Sequence, residues 1–332
     1  MRILVLGGTA FVGRAVAAEA VRRGHEVTCA ARGVSGDVPD GAELVRVDRR
    51  EGLGPLVGAE FDAVVDLATM SYGYVRDALA SLRAGHWTFV SSINVYADTL
   101  VPGPEVLDPV TDESTVEDYA QRDPAIYGAI KVACENAVRA AHPGAFVVRP
   151  GLITGPDDKS DRFGYWAQRM ARGGRVLVPD DPEQSIQHVD VRDLVAWVLD
   201  AAEHGRGGTH DAIGPAVPLR ELLTDLADAV APAGTELVAA APADLAAAGV
   251  QPWGGPKSLP LWLPDSHRGL AARDAGPVLA AGLPVRPLAD TARAALETER
   301  ARGIDRERRA GLTPDEEAEL LRTTPTRTWY TR

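Results

Sequence analysis

Lysine is almost missing from this sequence. Of 35 Lys plus Arg residues only three are lysines: Lys131, Lys159 and Lys257. Net positive charge is absent too, because 47 Asp plus Glu leave a formal net charge of -12. A nucleic-acid binder needs a basic face to neutralise phosphates, so this balance argues against a nucleic-acid partner. It still leaves room for a local basic pocket. The two cysteines, Cys29 and Cys134, are too few for a disulfide framework. Neither has a Cys or His neighbour at metal-ligand spacing, so no metal site is expected. Both read as small buried apolar residues in a reducing, cytoplasmic setting. No stretch approaches the ~18 uncharged apolar residues of a membrane span. The opening MRILVLGGTAFVG is apolar, but it is short and broken by glycines, and reads as strand and turn rather than signal peptide. Abundant Arg, Ala and Gly beside so little lysine fit a GC-rich bacterial genome.

What is present is ordinary globular material. The 332 residues, 45% hydrophobic and 25% charged, can bury one large core or two ordinary ones. Apolar runs at 2–6, 27–30, 44–47, 63–67, 87–91 and 145–149 read as strands. Helical spacing at 12–23, 75–82 and 127–141 falls between them. Strands without alternation, separated by helices, predict an α/β fold with a doubly wound parallel sheet covered on both faces. After Pro150 the rhythm changes to an irregular run over 151–184. Residues 185–204 then read as strand and helix returning to the sheet, and 220–230 as an amphipathic helix. Thr313, Pro314 and Glu316 form a capping box that starts a terminal helix. The expected division is a dinucleotide-binding domain of 1–150 plus 185–206, with 151–184 plus 207–332 as a smaller substrate-binding lobe.

Four motifs carry chemistry. The first, GGTAFVG, follows a strand and opens a helix. Gly7 allows the tight turn and Gly13 close helix–strand packing. Thr9, Ala10, Phe11 and Val12 lie between them, where unpaired N–H groups and the helix dipole receive a pyrophosphate. The second is the end of the second strand, where Ala31 stands in the position of the ribose-binding carboxylate and Arg32 follows. A guanidinium there suits a 2′-phosphate, which favours NADP(H) over NAD(H), with Arg14 assisting. Asp48, ending the third strand, is placed either to accept from the adenine amino group or to form a turn. Leu67, closing the fourth strand, joins the cofactor contacts.

The third motif is YGAIK. Its spacing of four puts Tyr127 and Lys131 on one helix face, where an ammonium brings a phenol's pKa of ~10 toward working pH. The same lysine can hold the nicotinamide ribose. The fourth, VSSINVY, ends the fifth strand and presents Ser91 and Ser92 where ligands of open parallel sheets bind.

In order and spacing, GGTAFVG, SSINVY, YGAIK and RPGLITGP resemble the extended short-chain dehydrogenase/reductase superfamily, in its NAD-dependent epimerase/dehydratase group. The resemblance covers roughly residues 1–215. It implies a two-lobed Rossmann protein in which Tyr127 is the general acid/base and Lys131 lowers its pKa and binds ribose. It further implies that Ser92 orients the substrate carbonyl and that the turn after Pro150 lines the nicotinamide. A homodimer through helices at about 73–84 and 127–141 is implied as well. The sequence departs from the group's pattern at three places. Ile93 and Asn94 replace the Asp-Glu pair of dehydratases, Leu152 replaces a phosphate-binding Asn, and Ala31-Arg32 replaces the acidic NAD type.

These departures point to an NADPH-dependent reductase of a small-molecule ketone, aldehyde or imine. One alternative is a nucleotide-sugar epimerase or dehydratase with bound NAD. The other is a non-catalytic NADP-binding or RNA-associated protein, against which the negative charge weighs. The substrate pocket is expected to draw on Ile93, Asn94, Phe163, Tyr165, Trp166 and Gln187, with Arg162 or Arg169 holding an anionic group. His188, next to Gln187, can also reach the pocket, but it is given no catalytic role, since a lone His is more often structural. Trp253, Trp262 and His267 lie in a Pro-rich loop that can cover the substrate.

Overall fold

The computed structural model describes residues 1–67, 71–111 and 124–332. The first half alternates as its hydrophobic pattern demands. β1 (Arg2–Leu6), α1 (Phe11–Arg22), β2 (Glu26–Ala31), β3 (Ala42–Arg46) and β4 (Glu60–Asp66) come first. They are followed by α2 (Tyr72–Ser81), β5 (Arg83–Val90), α3 (Pro124–Ala141) and β6 (Phe146–Pro150). β1 shows why the apolar run Ile3–Leu6 becomes a central strand. Ile3 and Val5 enter the core on one face of the sheet, and Leu4 and Leu6 the core on the other.

The rest of the chain supplies β7 (Leu152–Thr154), α4 (Phe163–Arg172), β8 (Arg175–Pro179), β9 (Ser185–Ile186), β10 (His188–Asp190), α5 (Val191–Glu203) and β11 (Gly208–Ala212). Then come β12 (Val217–Pro218), α6 (Leu219–Val230), β13 (Glu236–Ala240), α7 (Pro242–Ala247), β14 (Gln251–Trp253) and β15 (Ser258–Pro260). The chain closes with α8 (Gly276–Ala280), α9 (Leu288–Arg302), α10 (Pro314–Thr323) and β16 (Thr326–Thr331).

Seven parallel strands form the main sheet in the order β11-β6-β5-β4-β1-β2-β3. This is a doubly wound Rossmann sheet. β1 pairs with β2 on one side and β4 on the other, so the strand order reverses between β1 and β4. A ligand crevice opens at the C-terminal ends of such a pair. Residues of α1 and α5 pack on one face of the sheet, and residues of α2 and α3 on the other. No helix among the described residues is long and apolar enough to cross a membrane.

The division at 206 needs correcting. Residues 208–212, expected in the second lobe, add the edge strand β11 beside β6. β10, expected to rejoin the sheet, pairs with β7 instead. Ala275, Val278 and Leu283 also return to the Rossmann core, and Trp197 Nε1 donates to Ala281 O at 3.1 Å. The remaining lobe has its own core, where α4, α6 and α9 meet a three-stranded sheet ordered β16-β13-β8.

Candidate active site

The glycine turn sits at the C-terminal end of β1, at the crevice. Gly7 has φ +111° and is exposed, and Leu67 lies beside it, 3.6 Å from where a Gly7 Cβ would stand. A Cβ on Gly13 would fall 2.2 Å from Gly7 O, so only glycine lets α1 start this close to the turn. Ala10 is the N-cap in extended conformation (φ -141°, ψ 144°), which any residue adopts, so its methyl is tolerated. Phe11 is drawn to φ +29°, a strained value for a side-chain-bearing residue. Thr9 is buried, with the loop at Gly36 close over its carbonyl, and Phe11 and Val12 are half-buried. No side chain caps α1 and no acid lies in its first turn. A bare, positive helix end under a glycine cradle fits the pyrophosphate of a dinucleotide. Arg14, expected to assist there, is paired with Asp157 at 3.3 Å.

At the ends of β2 and β3 the charge is positive. Arg32 is exposed. Arg46 is opposite Ala31 in the β2–β3 register, and its Nε lies 3.4 Å from where a Gly33 Cβ would stand. The sequence reading did not single out Arg46, because only strand pairing brings it opposite Ala31. Asp48 takes the turn-forming option. It caps the 3₁₀ turn Arg49–Glu51, accepting from Arg50 N at 3.0 Å and Arg50 Nη2 at 2.6 Å. The Arg50 hydrogen bonds pull its carboxyl down to about 2, so it is anionic and already engaged.

Ser92 closes β5 and caps the 3₁₀ turn Ile93–Val95, accepting from Asn94 N at 3.2 Å and donating to Asn94 Oδ1 at 3.3 Å. Ser91 points elsewhere, donating to buried Glu135 Oε1 at 2.6 Å. Lys131 is 2% exposed. Its Nζ donates to Val90 O at 2.8 Å and stands 5.8 Å from the Tyr127 ring centroid. Gly128 decides how these parts meet: its Cβ position is 2.0 Å from Asn94 O, so α3 rests directly on the turn that follows Ser92. Ile93 in turn borders the backbone after Pro150, with its Cδ1 3.9 Å from the Gly151 Cβ position. The fold thus gathers Ser92, Ile93, Asn94, Tyr127, Lys131 and Pro150 at the ends of β5 and β6.

Beneath them lies a charged network that the sequence reading missed. Arg149 donates to both Glu135 oxygens, at 2.9 and 2.7 Å, and its Nη1 donates to Tyr96 Oη at 3.0 Å. Burial pushes the Glu135 carboxyl up, but the Arg149 pair outweighs it and holds the carboxyl below its ordinary value. The available signal was the spacing of four between Lys131 and Glu135, which puts both on one helix face. Both thiols are raised by burial, Cys29 to about 11 and Cys134 to about 12, as inert apolar residues should be.

The expected pocket residues of the second lobe are corrected. Phe163 and Trp166 are 0% and Tyr165 2% exposed, inside the lobe's own core. Trp166 Nε1 donates to Pro260 O at 2.6 Å, and burial raises the Tyr165 phenol. Gln187 is buried as a strut: its Nε2 donates to Gly214 O and Arg273 O, each at 2.9 Å, and its Oε1 accepts from Arg273 N at 2.9 Å. Arg169 is tied to Glu317 at 2.5 Å and is not placed to hold a ligand anion. His188 meets Thr154 Oγ1 at 3.0 Å, and burial lowers its imidazole pKa, as a structural role predicts. Trp262 is buried in the lobe core, and Arg162 stacks on Trp253 at 4.7 Å.

A glycine turn opening α1 and the elements that carry Ser92, Tyr127 and Lys131 stand at the C-terminal end of a seven-stranded parallel Rossmann sheet. The sequence model of the NAD dependent epimerase/dehydratase family matches residues 3–214, and the chain belongs to that family. It is 31% identical over 237 residues to 2′-dehydrokanamycin reductase of Streptomyces kanamyceticus. That match covers 67% of this chain and 64% of the reductase, short of two thirds of the latter's length. It is also 31% identical over 218 residues to dTDP-4-dehydrorhamnose reductase of Mycobacterium tuberculosis, covering 62% and 68%. Among solved structures, UDP-glucuronic acid 4-epimerase of Bacillus cereus with NAD superposes with TM-score 0.62 at 14% identity, covering 91% of this chain and 98% of that one. An NAD-dependent NDP-hexosamine 5,6-dehydratase of tunicamycin biosynthesis gives TM-score 0.60 at 18% identity, covering 92% and 99%. These two likenesses speak for the fold alone.

Proposed function

We propose that the protein is an NADPH-dependent carbonyl reductase acting on the ketone of a small polar metabolite, a keto sugar or keto amino sugar. One observation carries the catalytic part of this reading. Gly128 lets α3, which carries Tyr127 and Lys131, rest directly on the turn after Ser92, and this supports a shared catalytic role. Bound NADPH supplies a hydride. Ser92 Oγ holds the acceptor carbonyl oxygen, Tyr127 Oη delivers the proton to that oxygen, and Lys131 favours the phenolate that remains. Arg32 and Arg46 would hold the cofactor's 2′-phosphate, with Asp48 engaged chiefly by Arg50 although its charge also reaches Arg32. Both curated relatives described above are named reductases, which supports reduction over epimerisation. In the same reading the protein is a cytoplasmic homodimer.

The test measures NADPH oxidation with 2′-dehydrokanamycin and a panel of keto sugars. Tyr127→Phe is expected to keep NADPH affinity and lose turnover by ~10²-fold or more. Unchanged turnover rejects the assignment, and substrate isomerisation without added NADPH assigns an epimerase instead.

A further inference from the structure

The Ser92–Tyr96 segment is not held by the Rossmann half alone. Arg273, from the segment that precedes α8, lays its guanidinium over the Tyr96 ring, with Cζ 3.3 Å from the centroid. Its Nε donates to Asp211 Oδ2 at 2.9 Å and its Nη2 to Gly103 O at 2.9 Å. The side chain is 10% exposed, and Nη1 is buried without a hydrogen-bond partner among the described residues. Such a placement leaves a donor unsatisfied, so hydrogen bonding alone does not explain it. The backbone of Arg273 is fixed just as closely, since the Gln187 amide takes both its N–H and its carbonyl.

From Tyr96 the connection continues to the site. Tyr96 Oη donates to Asp211 Oδ1 at 2.7 Å and accepts from Arg149, which holds Glu135, which accepts from Ser91. Tyr96 also ends the turn that Ser92 begins, its N–H donating to Ile93 O at 3.3 Å. The same crossing segment is laced to the loop beyond. Thr99 Oγ1 donates to Ser266 O at 2.6 Å, and Gly269 N donates to Thr99 O at 2.8 Å.

Building on the reductase reading, we infer that Arg273 is a positioning residue: through its stack on Tyr96 it fixes the Ser92 turn in the geometry that hydride acceptance needs. It touches neither substrate nor cofactor in this role. A planar guanidinium is required, because one group must cover the ring and reach both Asp211 and Gly103.

The experiment compares wild type with Arg273→Ala, using the keto-sugar panel, NADPH binding and amide hydrogen exchange. Turnover should fall about 10- to 100-fold, the loss expected when reacting groups shift by about 1 Å. NADPH affinity should stay within about twofold, because the glycine turn is untouched. Amides of 91–103 should exchange about tenfold faster, while those of 2–31 keep wild-type protection. Millimolar guanidinium should restore part of both losses. Asp211→Asn, which keeps the packing, should show the same pattern more weakly, and stands in if Arg273→Ala does not fold. Wild-type exchange over 91–103 overturns the inference, as does an NADPH affinity that falls in step with turnover. If no ketone is reduced by wild type, the reductase reading fails, whereas the exchange measurement still tests whether Arg273 holds the Ser92 turn.

Discussion

The Rossmann half and the second lobe both bury charge, but they place it differently. In the first half the buried carboxylate Glu135 lies one helical turn from Lys131, and its partners lead to Ser91 and Tyr96. In the second lobe the buried carboxylates anchor chain. Glu317 brings α10 against Arg169, and Asp161 and Glu299 gather Arg302, Arg306 and Arg308 around the start of α4. The Glu135 network lies beside the candidate site, whereas the second-lobe pairs tie distant segments of that lobe together. Damage should therefore separate, with loss of function in one half and loss of stability in the other.

The largest expected effect breaks the second lobe. Arg169→Ala leaves Glu317 buried without its partner and should lower stability by about 3–5 kcal/mol in urea unfolding. Replacing Arg169 and Glu317 together with leucine should cost less, since no lone charge remains. Equal losses would mean that the pair itself, rather than the orphaned charge, holds the lobe. A smaller effect belongs to the cofactor end. Arg46→Met should weaken NADPH binding about tenfold, or about 1.4 kcal/mol, and leave NADH unchanged. Equal weakening of both cofactors would remove Arg46 from the 2′-phosphate reading.

The smallest effect appears only in acid. The Glu135 carboxyl is held below its ordinary 4.5 in the folded state, so the stability it contributes is fully present above that value. As pH falls through the lower folded value, that contribution is lost. Glu135→Gln should therefore flatten the acid side of the stability–pH curve and leave its slope near neutrality unchanged, as read from urea midpoints. An unaltered acid limb would place the acid sensitivity in other carboxylates held below their ordinary values, such as Glu19, Asp190 or Asp161.

The first half was legible because its signals are local. Gly7 and Gly13 bracket a turn, Tyr127 and Lys131 share a helix face, and unbroken apolar runs such as 3–6 report burial on both sides. Second-lobe elements were less legible. β16, reading TRTWYT, looks like a polar tail until β13 pairs with it. Phe163, Tyr165 and Trp166 resemble pocket aromatics in sequence, because nothing local distinguishes a wall from a core.

By itself the sequence determined the sheet class, the glycine cradle, the Tyr–Lys spacing and the capping box at Thr313. Each depends on residues a few positions apart, where backbone geometry fixes what meets what. Tertiary structure alone decided that Arg46 stands beside Ala31, that β11 completes the sheet, and that Arg273 lies over Tyr96, 177 positions away (273 minus 96). Those pairings follow from strand order and lobe packing, which bring distant residues into contact without a local trace.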